Sequence, residues 1–179
     1  MTPMSLETPH LRLVPFTPGD LLTLLESPGR FADSFGLPMD DALHGFYVSD
    51  DVSPAWLAVL RTSPVATPWV HGFAVVHRER EMVIGSAGFK GPPDSDGMVE
   101  VAYGIVPHFE GRGYATEAAT ALVDFAFAQA EVRRVRAHTL PEANASTHVL
   151  GKCGFAKVGE VVDPDDGPVW RWERERAPA

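Results

Sequence analysis

Between Met98 and Ala126 the chain changes its period in one step. Met98 to Val106 reads as a strand, with Glu100 set among Val99, Val101 and Tyr103. A loop carrying Gly111 and Gly113 follows. Then Ala115, Ala118, Ala119, Leu122, Val123 and Ala126 recur at helical spacing, with Glu117, Thr120 and Asp124 on the opposite side. A strand that feeds an amphipathic helix through a glycine loop implies two layers, because the helix must lay its apolar stripe on something. All-helical and all-strand folds are thereby excluded.

The flanking segments extend this pattern. His10–Phe16 alternates as a strand, and Thr17-Pro18-Gly19-Asp20 opens a helix that Pro28-Gly29 ends. The stretch from Asp33 to Arg61 holds one or two short helices, the clearest over Pro54–Arg61. Gly72–His77 and Met82–Phe89 flank the charged turn Arg78–Glu81, which is a hairpin. Val132–Leu140 is a strand. Asn144–Cys153 is a short helix stopped by Gly154. Phe155–Val162 and Pro168–Glu173 close the chain as a second hairpin. The expected fold is therefore α+β: a mixed, mostly antiparallel central sheet of about seven strands with helices on both faces. Doubly wound alternation is absent, which argues against a dinucleotide fold.

Composition bounds the function. A length of 179 residues with 45% hydrophobic and 22% charged residues fits one domain over 1–179. The formal net charge of −9 argues against a nucleic-acid partner, which needs clustered Lys and Arg. No apolar run approaches the roughly 18–20 residues of a membrane helix. The N-terminal Met1-Thr2-Pro3-Met4-Ser5 has no secretory pattern, and a single cysteine suits a reducing compartment. The expectation is a cytoplasmic protein, monomer or homodimer, with no membrane partner.

The glycine loop carries chemistry. Glycines let the backbone turn sharply and approach a ligand closely. The first turn of a helix has unpaired N–H groups and the positive end of the dipole. Together they form an anion site suited to a phosphate or pyrophosphate, with Arg112 as a cation in the same turn. No Gly-Lys-Ser/Thr triplet makes it a P-loop. The dinucleotide fingerprint fails at Thr116 and at Arg133 and Arg134.

Four segments in order resemble a known family. Val99-Glu-Val-Ala-Tyr-Gly-Ile-Val106, Glu110-Gly-Arg-Gly-Tyr-Ala-Thr-Glu-Ala118, Pro141-Glu-Ala-Asn-Ala-Ser146 and Lys152-Cys-Gly-Phe155 look like the GNAT superfamily of N-acetyltransferases. They are most similar to its RimJ/RimL branch, as is the opening Thr8-Pro-His-Leu-Arg-Leu13. The resemblance covers nearly the whole chain and is weakest from about 30 to 70. It implies acetyl-CoA as co-substrate and an amine acceptor, either a protein N-terminus or a cationic small molecule. It implies that Ile105 and Val106 offer backbone groups to the pantetheine arm. It implies further that Gly111, Arg112, Gly113, Tyr114, Ala115 and Thr116 hold the pyrophosphate. Glu110 stands where the family has Gln or Arg, so it is expected to point away.

On the same resemblance, Glu100 is the candidate base that deprotonates the acceptor, and Ser146 lies near the sulfur. Many superfamily members use a tyrosine to reprotonate the thiolate; here that position is Leu150. The branch's Asn slot is Ala143, and Asn144, one residue later, either reaches the cofactor or serves as an N-cap. These departures motivate an alternative, a non-catalytic acyl-CoA-binding or sensing module. An enzyme using a longer acyl donor is a further variant.

Other residues are read as ordinary. Cys153 is a small buried hydrophobe, and His138 and His148 either face the acceptor cleft or, as the favoured reading, are ordinary partly buried histidines. Trp170 and Trp172 share a strand face and pack in the core or at a dimer surface. The scattered His and lone Cys make no metal site. Asp33, Asp40, Asp41, Asp50 and Asp51 lie between Arg30 and Arg61 with no intervening Lys or Arg. If this run borders the acceptor side, it attracts cationic amines.

Overall fold

The computed structural model describes residues 4–48, 54–62 and 65–178. Its frame is one 8-stranded sheet in the order β1-β2-β3-β4-β5-β6-β8-β7. The strands are β1 (Leu6–Glu7), β2 (Leu11–Pro15), β3 (Phe73–His77), β4 (Met82–Phe89), β5 (Met98–Ile105), β6 (Arg134–Thr139), β7 (Ala156–Asp163) and β8 (Gly167–Glu175). Every neighbouring pair is antiparallel except β5 and β6. The α+β class and the mixed, mostly antiparallel sheet agree with the sequence reading. The count of about seven strands holds too; the eighth, β1, is only 2 residues long, too short to show a period, yet it pairs with β2.

The helices are α1 (Pro18–Glu26), α2 (Phe31–Phe35), α3 (Gly45–Val48), α4 (Pro54–Thr62), α5 (Pro68–His71), α6 (Tyr114–Phe127) and α7 (Ala145–Lys152). The stretch after α1 is more broken than one or two helices. Two 3₁₀ turns, Pro28–Arg30 and Asp41–His44, interrupt it. Three of the pieces have a side-chain cap: Thr17 caps α1 with a capping box, Asp40 caps the second turn, and Thr67 caps α5.

The long helix α6 is the crossover between β5 and β6, which is why this one pair is parallel. Its buried residues are Ala118, Ala119, Leu122, Val123 and Ala126. Three alanines let the helix sit close on the sheet. Phe125, beside this stripe, meets Trp69 of α5, Phe73 and Phe89 in an aromatic cluster. The opposite face of the sheet carries the N-terminal helices. Phe46 of α3 lies over Gly104, 3.1 Å from where a Cβ would stand, so any larger residue there would press the ring outward.

The pairing of β5 with β6 stops early. Its register runs from Met98↔Arg134 to Glu100↔Arg136 and no further. Beyond Glu100, β5 stays with β4 as far as Gly85↔Ile105, while β6 stays with β8 as far as Thr139↔Trp170. The sheet therefore opens after Glu100, and the candidate site is built around that opening.

Candidate active site

Ladder parity decides which backbone groups of β5 face the gap. The Lys90 N–H donates to the Glu100 carbonyl and the Val106 N–H donates to the Ile84 carbonyl. In an antiparallel ladder such residues alternate. Residues 100, 102, 104 and 106 thus spend their backbone on β4. Val101, Tyr103 and Ile105 turn theirs toward the side that β6 has left. The expectation for Val106 needs correcting here: its N–H is held by Ile84 and its carbonyl accepts from the Phe109 N–H.

At the end of β5 the chain makes a short 3₁₀ turn, Pro107–Phe109, and enters the glycine loop. Gly111 and Gly113 both have positive φ, 75° and 82°, which L side chains rarely adopt. Neither would meet any atom within 4 Å on gaining a Cβ. Backbone conformation alone, rather than crowding, demands glycine there, and the cradle is open. Gly113 is the N-cap of α6 and supplies no side-chain cap. The first intrahelical bond is Glu117 N–H to the Gly113 carbonyl. The N–H groups of Tyr114, Ala115 and Thr116 therefore have no helical partner, as the first turn requires. Arg112 is exposed, its guanidinium 5.6 Å above the Phe109 ring.

Side chains brace this turn from behind. The Tyr114 hydroxyl is 3.0 Å from His77 Nε2, whose Nδ1 accepts the Arg80 N–H. Burial, with the Arg80 and Arg112 cations adding to it, lowers the His77 pKa, so the ring is neutral and Nε2 carries its proton. Glu117 accepts from the Thr8 hydroxyl and, at 2.7 Å, from the His10 N–H. Burial works against the Glu117 carboxylate, but these hydrogen bonds and the nearby His10 outweigh it and hold its pKa below the ordinary value. The segment before β2 is thus tied to the helix that forms the anion cradle.

The opening between β5 and β6 encloses a cavity of about 150 Å³. Strand alternation divides its lining. Lys90, Glu100, Ala102 and His138 come from one face of the sheet. Val101, Tyr103, Ala137 and Thr139 come from the other, where Ser146 and Leu150 of α7 cover it. Glu100 and Ser146, far apart in sequence, therefore meet at one hole through the sheet. A larger hollow of about 410 Å³ lies between α1 and α2, lined by Leu22, Glu26, Arg30 and Asp33, away from both the glycine loop and Glu100.

Glu100 is flanked by two side chains. Its side chain is 15% exposed, with Lys90 Nζ 2.8 Å from Oε2 and His138 Nδ1 3.2 Å from Oε1. Burial pulls the Lys90 pKa down, but the hydrogen bond and charge of Glu100, joined by Asp163 and Asp166, hold it above the ordinary value. Opposite His138 on β8, Arg171 Nε donates to His138 Nε2 at 3.1 Å. On the other face, burial pushes the Tyr103 phenol well above its usual range, with Cys153 adding to the shift. It stays protonated at any ordinary pH.

Asn144 takes the capping role. Its Oδ1 accepts the Thr147 N–H at 3.0 Å, and its own N–H donates to Thr147 Oγ1. The oxygen expected to reach a cofactor is committed to starting α7. Cys153 is buried, with Sγ 3.5 Å from Thr120 Oγ1. Trp172 donates to Thr139 Oγ1, while Trp170 donates to Glu160 and stacks under Lys157 Nζ at 3.6 Å. Both indoles are partly buried; Trp172 packs against the hydrophobic core, while Trp170 lies at the sheet margin under Lys157. Lys90, Arg171 and Tyr103 escape the sequence reading as site residues, whereas His138, for which the sequence reading weighs a place at the acceptor cleft against an ordinary histidine, lines the cavity. For Lys90 the signal was the short turn that sets it opposite Glu100; for the others it lies in strand register. Among the described residues no group of three His, Cys, Asp or Glu side chains is placed to hold a metal ion. No helix there is long and apolar enough to cross a membrane.

Known proteins give this geometry a context. An N-acetyltransferase of Bacillus licheniformis, p20, itself uncharacterised, is 31% identical over 91 residues, 51% of this chain and 51% of that protein. The chain thus spans about half the length of that relative in the match. The ribosomal-protein-S5-alanine acetyltransferase of Vibrio fischeri superposes with a TM-score of 0.64 at 19% identity, covering 97% of each chain. The ribosomal L7/L12 α-N-protein acetyltransferase RimL, solved with coenzyme A, superposes with a TM-score of 0.64 at 14% identity, covering 96% of this chain and 98% of that one. At such identities the two structures speak for the fold. The acetyltransferase (GNAT) domain model matches residues 10–156. The match takes in the strand, the glycine loop, α6 and α7, and the chain belongs to that family.

Proposed function

We propose that this protein transfers an acetyl group from acetyl-CoA to a primary amine by direct attack in a ternary complex. The observation that carries the reading is the cavity at the sheet opening, which takes Glu100 from one face and Ser146 from the other. The unpaired amides of the glycine loop stand at the end of the same strand. In this reading Gly111, Arg112, Gly113, Tyr114, Ala115 and Thr116 bind the pyrophosphate, chiefly through backbone N–H groups. Ile105 offers its backbone to the pantetheine arm. Asn144 is left with only its amide nitrogen for such a contact. The donor enters on the α6 and α7 face and the acceptor on the face of Glu100.

An alkyl amine is protonated near neutral pH, so its proton must leave before it attacks. Glu100 takes that proton, directly or through one water. Ser146, at the first turn of α7, lies by the sulfur. A thiol is a fair leaving group even without a strong acid. Most of the rate then comes from holding amine and thioester together. The small cavity suits a short acyl group. The continuous sheet and core support reading the chain as one domain. The acceptor is a protein N-terminal amine or a cationic small molecule.

A thiol-release assay with acetyl-CoA, run over N-terminal peptides, polyamines and aminoglycosides, tests the function. Turnover with at least one amine class is expected, with acetyl-CoA preferred over propionyl- and succinyl-CoA. Calorimetry that finds no acetyl-CoA binding at millimolar concentration overturns the reading. Binding without thiol release across the whole panel replaces it with an acyl-CoA-sensing module.

A further inference from the structure

We propose that His138 is a positioning residue for Glu100, with its tautomer set by Arg171. This rests on the reading of Glu100 as the base and assigns Oε2 as the oxygen that takes the acceptor's proton.

The three side chains come from three strands and share one face of the sheet. Glu100 pairs with Arg136 across the last parallel rung, and His138 is the next residue of β6 on that face. Arg171 lies directly opposite His138 on β8. Its Nε is 3.1 Å from His138 Nε2. A guanidinium can only donate, so Nε2 accepts and the neutral ring carries its proton on Nδ1. That N–H faces the carboxylate, with Oε1 at 3.2 Å. Nδ1 is buried and has no aligned hydrogen-bond partner in the described residues. A buried donor next to a slightly misaligned carboxylate oxygen favours rotation of that carboxylate into line. Catalytic hydrogen bonds are often loose before substrate binds and tighten in the complex.

The other oxygen is held differently. Lys90 Nζ is 2.8 Å from Oε2, but the Lys90 side chain is 54% exposed and flexible, whereas His138 is 14% exposed. The terminal torsion of a glutamate is soft, so a carboxylate held only by Lys90 spreads over many angles. His138 removes that freedom at Oε1. It leaves Oε2, whose partner Lys90 is the more exposed and mobile of the two donors, for the incoming ammonium. A carboxylate has about four acceptor sites, so neither donor saturates it. The charged and titratable groups around His138 are Glu100 of β5, Arg171 of β8, Lys90 after β4 and Asp163 at the end of β7.

The test is steady-state kinetics with acetyl-CoA and the best amine from the thiol-release panel. His138→Leu is expected to lower kcat about tenfold, with the amine KM and acetyl-CoA affinity changed less than about twofold. The acidic limb of the kcat/KM profile moves to higher pH, because a donor that stabilised the carboxylate is gone. His138→Asn, which keeps an N–H near the position of Nδ1, restores most of kcat and returns the limb. Arg171→Met frees the tautomer and gives an intermediate kcat. A His138→Leu enzyme with wild-type kcat and profile overturns the proposal, as does an Asn variant no better than Leu. So does a kcat loss that follows thermal stability while the acidic limb stays in place. Glu100→Gln separates the two readings. If it keeps the wild-type profile, the base assignment itself fails. If it removes the acidic limb while His138→Leu changes nothing, only the role of His138 fails.

Discussion

The two halves of the candidate site are built from different materials. The glycine loop works through backbone: two positive-φ glycines and a helix start with unpaired amides. The sheet opening works through side chains: Lys90, Glu100, His138 and Arg171 arrive from four neighbouring segments and meet because of register. A backbone site tolerates any side chain that allows the conformation. A side-chain site tolerates little change at the group that does the chemistry. The halves should therefore fail in opposite ways, the loop in affinity and the opening in rate.

Glu100→Gln gives the largest expected effect. Removing a general base costs about 100- to 10,000-fold in kcat. Acetyl-CoA affinity, measured by calorimetry, should stay within about twofold, since Glu100 lies on the acceptor face. A large loss of affinity would erase the division between the halves.

The loop gives the mirror image. Gly113→Val places a β-branched residue at φ 82°, where an L side chain costs roughly 1–2 kcal/mol or more. The dissociation constant for acetyl-CoA should rise about tenfold or more, with kcat at saturating donor within a few-fold. Gly113→Asn should do far less harm, because Asn visits this region and nothing stands within 4 Å of the new Cβ. Equal damage from Asn and Val would mean that the space, and not the φ, is what the ligand needs.

How much of this is legible in sequence follows from the same contrast. The glycine loop is local: strand, Gly111, Gly113 and helix lie within one stretch, and the helical period of Ala115–Ala126 announces the dipole. The sheet opening is not local. Glu100 and Ser146 were found through the family resemblance, while His138 and Arg171, 33 residues apart, pair only through the β6–β8 ladder. Val106 and Asn144 show the same limit. Their residue types suit the expected contacts, but Ile84 and Thr147 had already claimed the groups concerned. The broken helices after α1 are hard to read because each is short, with no sustained period.

Glu117 joins the loop to the segment before β2, and its effect should be moderate. Its folded pKa is lowered, so its contribution to stability is complete above the unfolded carboxylate range, about 4.3, and is lost as pH falls through the lower folded value. Glu117→Gln should lower Tm by about 3–6 °C at pH 7, given hydrogen bonds to a charged group and a chain of this size. The gap between variant and wild type should close toward pH 3. A gap that is constant with pH would show that the carboxylate's charge is not what fastens Thr8 and His10.

The smallest effect concerns the acidic run of the N-terminal helices. Phe46 of α3 lies on the Glu100 face of β5, while Asp33 lines the hollow away from Glu100 and the Asp40 N–H donates to Val83, so we propose that the run acts on a cationic acceptor only through its long-range field. Asp50 and Asp51 lie outside the described residues. Asp40 has a structural duty, its Oδ1 accepting the Ala42 N–H, so it is best left in place. Converting Asp33, Asp41, Asp50 and Asp51 to Asn should raise KM for a cationic amine about two- to threefold at low ionic strength, with kcat unchanged. At about 0.5 M salt the Debye length is only a few ångströms, and the difference should vanish. A KM that does not respond would leave this part of the −9 net charge with no part in capturing substrate, and would place acceptor recognition wholly at the sheet opening.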